Sequence, residues 1–298
     1  MNLLFTGASG FLGNNILPLL QKQYAVSTVG LTAEDDYTVN LSQETPCFSR
    51  LYDIVLHAAG KAHVVPKTEA EKRLFMDINY KGTVHLCRAL EKSGLPRSFV
   101  FISTVAVYGC SSGELITEAH PLNGNDPYAV SKRMAEEYLQ EWCDKKGILL
   151  SILRPSLLAG THPVGNLKDM ITGIKTRRYL SIGGGKARKS ILMAQDIARL
   201  VPLAARKGGV YNVCDNHHPS FRELEASIAS QLGLPLPANI PYWVARSCAL
   251  AGDCLGRHAP LNSLRLKKIT ETLTFSNEKA RIQLGWEPLD VLSHFKIE

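Results

Sequence analysis

Within its first residues the chain passes from a short apolar stretch, Leu3-Leu4-Phe5-Thr6, straight into Gly7-Ala8-Ser9-Gly10-Phe11-Leu12-Gly13 and then into an amphipathic run. Glycines spaced three apart between a buried strand and a helix start restrict the fold more than any other feature of the sequence. Gly7 suits a tight turn, Gly10 leaves the backbone open to a pyrophosphate, and Gly13 lets the helix lie close to the sheet. The amino terminus of that helix then offers N–H groups to phosphate oxygens.

The remainder of the first half has the period of an alternating α/β chain. Leu3 to Thr6, Ala25 to Val29, Ile54 to His57, Phe99 to Ser103 and Leu149 to Leu153 read as strands. Gly13 to Gln23, Glu69 to Ser93 and Pro127 to Lys146 carry apolar residues at helical spacing. The expected fold is a Rossmann-type, doubly wound parallel sheet with ligands at its carboxyl edge. Residues 1–160 form this domain and 190–214 return to it, with Ala194 to Ala205 as a helix and Gly209 to Val213 as a strand. Residues 161–189 and 215–298 make a smaller α/β substrate lobe, with a short helix near Leu167 to Lys175 and two or three helices after Pro219.

Composition narrows the function. At 298 residues and 45% apolar content a full core is available. The formal charge of +7 favours anionic ligands, yet the basic residues are scattered rather than interleaved with aromatics, so no nucleic-acid surface is expected. The seven cysteines include no CxxC pair, which fits a reduced compartment, and no metal site is expected. The first strand comes directly after the initiator methionine, leaving no room for a signal segment, so a cytoplasmic location is expected. Pro241 to Leu255 is too short and too charged to span a bilayer and reads as a packed helix.

Tyr128 and Lys132 lie four residues apart early in a helix, so phenol and ammonium share one face. A phenol needs its pKa lowered by about three units, roughly 4 kcal/mol, to act as a base near neutrality, and neighbouring cations supply that. Phe99 to Thr104 ends a buried strand with two hydroxyls at the carboxyl edge, where a donor to a substrate oxygen is wanted. The acid that reads an adenosine ribose belongs near Gly30, but Glu34, Asp35 and Asp36 arrive several residues later. That leaves both NAD and NADP open, and no nearby Arg or Lys selects NADP.

Together these pieces resemble the extended short-chain dehydrogenase/reductase family, in its nucleotide-sugar epimerase, dehydratase and 4-ketoreductase branch. The resemblance spans most of the chain. It runs through Thr6 to Gly13, His57-Ala58-Ala59-Gly60, Asn79-Tyr80-Lys81-Gly82-Thr83, Ser103 to Gly109, Tyr128 to Lys132, Arg154-Pro155 and Leu284-Gly285-Trp286. It implies that Thr104 hydrogen-bonds the reacting oxygen, Tyr128 is the acid/base and Lys132 holds the nicotinamide ribose. The cofactor would meet Gly7, Ser9, Gly10, Phe11, Leu12, Gly13, Ala58, Ala59, Gly60, Asn79, Ser103 and Pro155. Asn40 stands where the family has an aspartate near the adenine, and its amide can accept from the adenine amino group.

On the substrate side the resemblance places Asn166, in the loop after Gly160, at the nucleotide diphosphate, with Arg188, Lys189 and Arg265 as its neutralising charges. The Asp-Glu pair that comes after the threonine in 4,6-dehydratases is replaced by Val105-Ala106, which disfavours dehydration. The expected activity is epimerisation or 4-ketoreduction at C4 of a nucleotide-diphosphate sugar with NAD or NADP. The alternatives are an NADPH-dependent reductase of a non-nucleotide ketone or aldehyde and a non-catalytic cofactor-sensing protein. A homodimer through Glu69 to Ser93 and Pro127 to Lys146 is also implied.

Overall fold

A computed structural model describes residues 1–62, 64–255 and 261–297. Its strands are β1 (Asn2–Thr6), β2 (Ala25–Gly30), β3 (Tyr37–Thr38), β4 (Ile54–His57), β5 (Ser98–Ile102), β6 (Gly113–Ile116) and β7 (Leu149–Pro155). Beyond them lie the short strands β8 (Leu157–Ala159), β9 (Ser181–Ile182), β10 (Ile191–Met193), β11 (Gly209–Val213), β12 (Asn239–Ile240) and β13 (Leu273–Phe275). The helices are α1 (Phe11–Gln21), α2 (Glu69–Phe75), α3 (Gly82–Ser93), α4 (Pro127–Lys146), α5 (Gly165–Lys175) and α6 (Ala194–Lys207). The later ones are α7 (Phe221–Gln231), α8 (Tyr242–Leu255), α9 (Ser263–Thr270), α10 (Glu278–Leu284) and α11 (Val291–His294).

Seven strands form one parallel sheet in the order β11-β7-β5-β4-β1-β2-β3. The order reverses between β1 and β4, and the crevice beyond their carboxyl ends is where such sheets take ligands. Alternation along the strands divides the core between the two faces. Leu3 and Phe5 pack with Ile16 and Leu20 of α1 and with Ile197, Leu200 and Val201 of α6. Leu4 and Val29 pack on the other face with Leu86 and Leu90 of α3 and Leu139 and Trp142 of α4.

Three departures from the sequence expectations have physical causes. The run Glu69 to Ser93 is not one helix: a π-helical segment, Met76–Lys81, separates α2 from α3. There the Thr83 hydroxyl donates to the Asn79 carbonyl at 2.6 Å, a side-chain bond set into the backbone ladder. After residue 219 the described residues form five helices rather than two or three, because short turns and caps such as Asn262, whose side chain accepts from the Arg265 amide, interrupt the pattern. Finally, Ala280, Leu284 and Trp286 pack into the core beneath α1 and α6, so a boundary giving all of 215–298 to the substrate lobe cuts through continuous packing.

The lobe has its own cluster, built from Leu167, Met170 and Ile174 of α5 with Leu224 and Ile228 of α7 and Phe295. Helix α8 rests Ala245 and Ala249 on Leu266 of α9. Its outer side is open: Trp243 is 71% exposed, whereas Trp142 and Trp286 are 6% and 2% exposed. Among the described residues no helix is long and apolar enough to cross a membrane.

Candidate active site

The glycine loop leaves β1 through Gly7, whose φ of 83° is open to glycine and strained for other residues. A Cβ there would also lie 2.6 Å from the Ala59 nitrogen, so the turns after β1 and β4 touch at the point where strand order reverses. Ser9 and Gly10 are exposed at the start of α1, Phe11 and Leu12 are half-buried and Gly13 is buried. Gly10 donates its N–H to the Gly7 carbonyl at 3.2 Å, and the Asn14 amide donates to Gly10 at 2.9 Å, starting the helix. The loop has the shape a pyrophosphate needs at a helix amino terminus.

Helix α4 begins where Asp126 accepts from the Tyr128 and Ala129 amides, both at 3.0 Å, with Pro127 in the first turn. This cap fixes the height of Tyr128 above the sheet. Thr104, just beyond the end of β5, is the neighbour that pulls the phenol's pKa down, and its hydroxyl accepts from the Ala106 amide at 3.1 Å. One turn along α4, Lys132 is buried with its ammonium 4.0 Å from the Phe101 ring centroid. That ammonium donates to the Ile102 carbonyl at 2.6 Å. The sequence-expected trio is therefore gathered at the carboxyl end of β5, and Gly60 adjoins it: a Cβ on Gly60 would lie 3.9 Å from the Lys132 ammonium.

Electrostatics differ from the sequence expectation. Burial pushes the Tyr128 phenol up to about 12, with Thr104 pulling the other way, rather than leaving it lowered by Lys132. Burial likewise pushes Lys132 down to about 7, against the pull of the Glu136 carboxylate. Desolvation disfavours the charged form of both groups and outweighs their neighbours here.

Beneath the trio lies a polar network that sequence reasoning missed. Glu136, a further turn along the face that carries Tyr128 and Lys132, takes a bidentate contact from Arg154 at 3.1 and 2.5 Å. Arg154 also donates to the Tyr108 hydroxyl at 2.9 Å, which donates to Asn212 at 2.7 Å. Spacing along α4 was the signal that could have found Glu136. The Ser103 hydroxyl donates to Glu136 as well, so it faces this network and any contact of Ser103 with a cofactor falls to its backbone. Asn79 is buried, donates to the Ser131 hydroxyl at 2.9 Å and accepts from the Lys61 amide at 2.7 Å, tying the π segment to α4 and the turn after β4. Pro155 ends β7 in a buried position.

At the adenosine end, the Asn40 side-chain oxygen accepts from the Ser42 amide at 3.1 Å and hydroxyl at 2.7 Å. Ser42 thus competes for the oxygen that would accept from the adenine amino group, and the side-chain nitrogen is the other group that could meet a base. On the substrate side, Asn166 lies in the first turn of α5 rather than in a loop. Arg188 donates to the His218 carbonyl at 2.9 Å, and Lys189 donates to the Glu271 carbonyl at 2.9 Å. The two adjacent side chains are thus tied to different segments and do not form one anion clamp. Arg265 is exposed on α9. A link not foreseen runs from α1 to the lobe: buried Asn15 accepts from the Thr161 amide and hydroxyl at 2.8 and 2.9 Å.

The comparisons with known proteins agree with this geometry. The NAD dependent epimerase/dehydratase family model matches residues 3–214. The chain is 28% identical to the N-acetyl-alpha-D-glucosaminyl-diphospho-ditrans,octacis-undecaprenol 4-epimerase of Escherichia coli O157:H7, over 93% of this chain and 88% of that one. It is 30% identical to the GDP-6-deoxy-D-mannose reductase of Pseudomonas aeruginosa, over 74% of this chain and 77% of that one. The Thermus thermophilus UDP-glucose 4-epimerase complex with NAD superposes with a TM-score of 0.71 at 22% identity, covering 99% of each chain. The chain belongs to the NAD dependent epimerase/dehydratase family and is an NAD(P)-dependent enzyme of the extended short-chain dehydrogenase/reductase type.

Proposed function

We propose that the protein performs oxidoreduction at C4 of a nucleotide-diphosphate sugar, as a 4-epimerase or 4-ketoreductase, with Tyr128 as acid/base. The observation that carries this reading is the placing of Tyr128 and Lys132 one turn apart on α4, with the Lys132 ammonium on the Ile102 carbonyl at the end of β5, two residues before Thr104 and next to Gly60. The bound nicotinamide supplies or accepts the hydride at C4. Thr104 holds the C4 oxygen, and Tyr128 delivers a proton to it in reduction or removes one in oxidation. Lys132 holds the nicotinamide ribose. Val105 and Ala106 come after Thr104 with no carboxylate to drive dehydration.

Asn166, Arg188, Lys189 and Arg265 are proposed to meet the diphosphate. The divergent tethers of Arg188 and Lys189 make it a set of separate contacts. The division into a dinucleotide-binding domain and a substrate lobe is proposed on the same basis, with the Asn15–Thr161 hydrogen bonds joining them.

Replacing Tyr128 by Phe should lower turnover of the sugar substrate by at least about a hundredfold while leaving NAD(P) affinity nearly unchanged. Near-normal turnover overturns the assignment. A cofactor retained through purification and detected by mass spectrometry speaks for epimerisation, and a freely exchanging one for ketoreduction. If UDP, dTDP, GDP and CDP all fail to bind, the reading gives way to reduction of a small ketone.

A further inference from the structure

Residue 30 ends β2 as glycine, and a glycine cannot carry the acid that reads an adenosine ribose. The acid is nevertheless close by. An ideal Cβ built on Gly30 would lie 2.3, 2.7 and 2.8 Å from the Oδ2, Cγ and Oδ1 atoms of Asp35. The carboxylate of Asp35 therefore fills the space into which a side chain at residue 30 would project. The turn that returns it is built for the purpose: Oδ2 accepts from the Thr32 amide at 3.1 Å and the Thr32 hydroxyl at 2.9 Å, and the Asp35 amide donates back to the Thr32 carbonyl at 3.2 Å. Asp35 is 9% exposed.

The side of the sheet is also right. Val29 packs with α3 and α4, so alternation directs residue 30 to the face that carries α1 and the glycine loop. The Gly7 amide donates to the Val29 carbonyl at 3.2 Å, placing this corner directly beside the loop.

We propose that Asp35 is the ribose-reading acid of this chain and selects NAD over NADP. The inference rests on the glycine loop being the dinucleotide site and goes beyond the family assignment, which admits both cofactors. An ionised carboxylate there accepts from the ribose 2′-hydroxyl and repels a 2′-phosphate. Nothing in the adjoining segment offsets that repulsion: Glu34 and Asp36 flank Asp35, and residues 23–49 contain no Lys or Arg. The cost of leaving Gly at residue 30 is met by a turn that supplies the same group from five residues later.

The test is cofactor binding to the full chain without sugar substrate, by calorimetry with NAD and, separately, with NADP. The parent protein should bind NAD at least about tenfold more tightly than NADP. Asp35→Asn should lower the ratio of NAD to NADP affinity at least about tenfold. Because Asp35 also holds its own turn, a second variant leaves it in place: Gly30→Ala puts a methyl group where the carboxylate sits, displaces it and should lower the ratio in the same direction. Thermal melts of both variants establish that they are folded. Equal or tighter binding of NADP by the parent, or an unchanged ratio in both folded variants, overturns the inference. Since no sugar is present, these outcomes are independent of whether C4 chemistry is correct, which the Tyr128→Phe turnover decides separately.

Discussion

His57 shows what a single residue contributes beyond the motif it sits in. Its ring is buried between the hydroxyls of Thr6 at 2.6 Å and Thr83 at 2.9 Å and stacks on Phe101. Burial, reinforced by the Lys132 ammonium, pushes its pKa down to about 3 from an ordinary 6.5. The unfolded chain therefore binds a proton that the folded chain refuses between these values. The stabilising contribution is complete above about pH 6.5 and is lost as pH falls toward 3. The thermal midpoint should accordingly be lower at pH 5 than at pH 7, and His57→Gln should shrink that difference whatever its effect on overall stability. An equal pH dependence in the variant would contradict this. In the sequence, His57 was legible only as part of a cofactor motif; its partners come from β1 and α3, and proximity of that kind is set by sheet pairing. The same holds for Asp35, whose distance along the chain from Gly30 hid its return to it.

At the level of elements, the close approach of α1 to the sheet depends on Gly13. A Cβ at this position would lie 2.1 Å from the Ala8 carbonyl oxygen and 2.4 Å from its carbon, and backbone atoms cannot rotate aside. Gly13→Ala must open the loop or lift the helix. It should destabilise the fold by about 1–3 kcal/mol in urea titration and weaken NAD(P) binding with it. Unchanged stability and affinity would show that α1 has slack the packing does not suggest. Elements of this kind were the most legible part of the sequence: α4 and β11 have the boundaries that periodicity, capping and turn residues indicate. The π segment was not legible, because Met76 to Lys81 keeps the apolar spacing of its neighbours while its hydrogen bonding changes.

For the molecule as a whole, the expected homodimer through Glu69 to Ser93 and Pro127 to Lys146 meets a surface that is polar along the outer side of α4 and carries the exposed Leu74 on α2. Ala135, Leu139, Trp142 and Cys143, the buried apolar residues along the second half of α4, are consumed inside the subunit. Glu137, Gln140, Glu141, Asp144 and Lys145 face outward. A dimer joined there should scatter light as twice the 32.8 kDa chain at micromolar concentration in low salt and weaken as salt screens the joint. A monomer in low salt would remove the proposal.

The unequal burial of the tryptophans has an optical consequence. Trp142 and Trp286 belong to the two cores of the dinucleotide-binding sheet, while Trp243 stands on the open side of α8. Indole emission shifts to the red in water, and an ionic quencher such as iodide reaches only those rings that solvent reaches. The fluorescence of the native protein is thus a sum of two shielded blue emitters and one accessible red emitter. Unfolding of the sheet and rearrangement around α8 report in different parts of one spectrum, without any label.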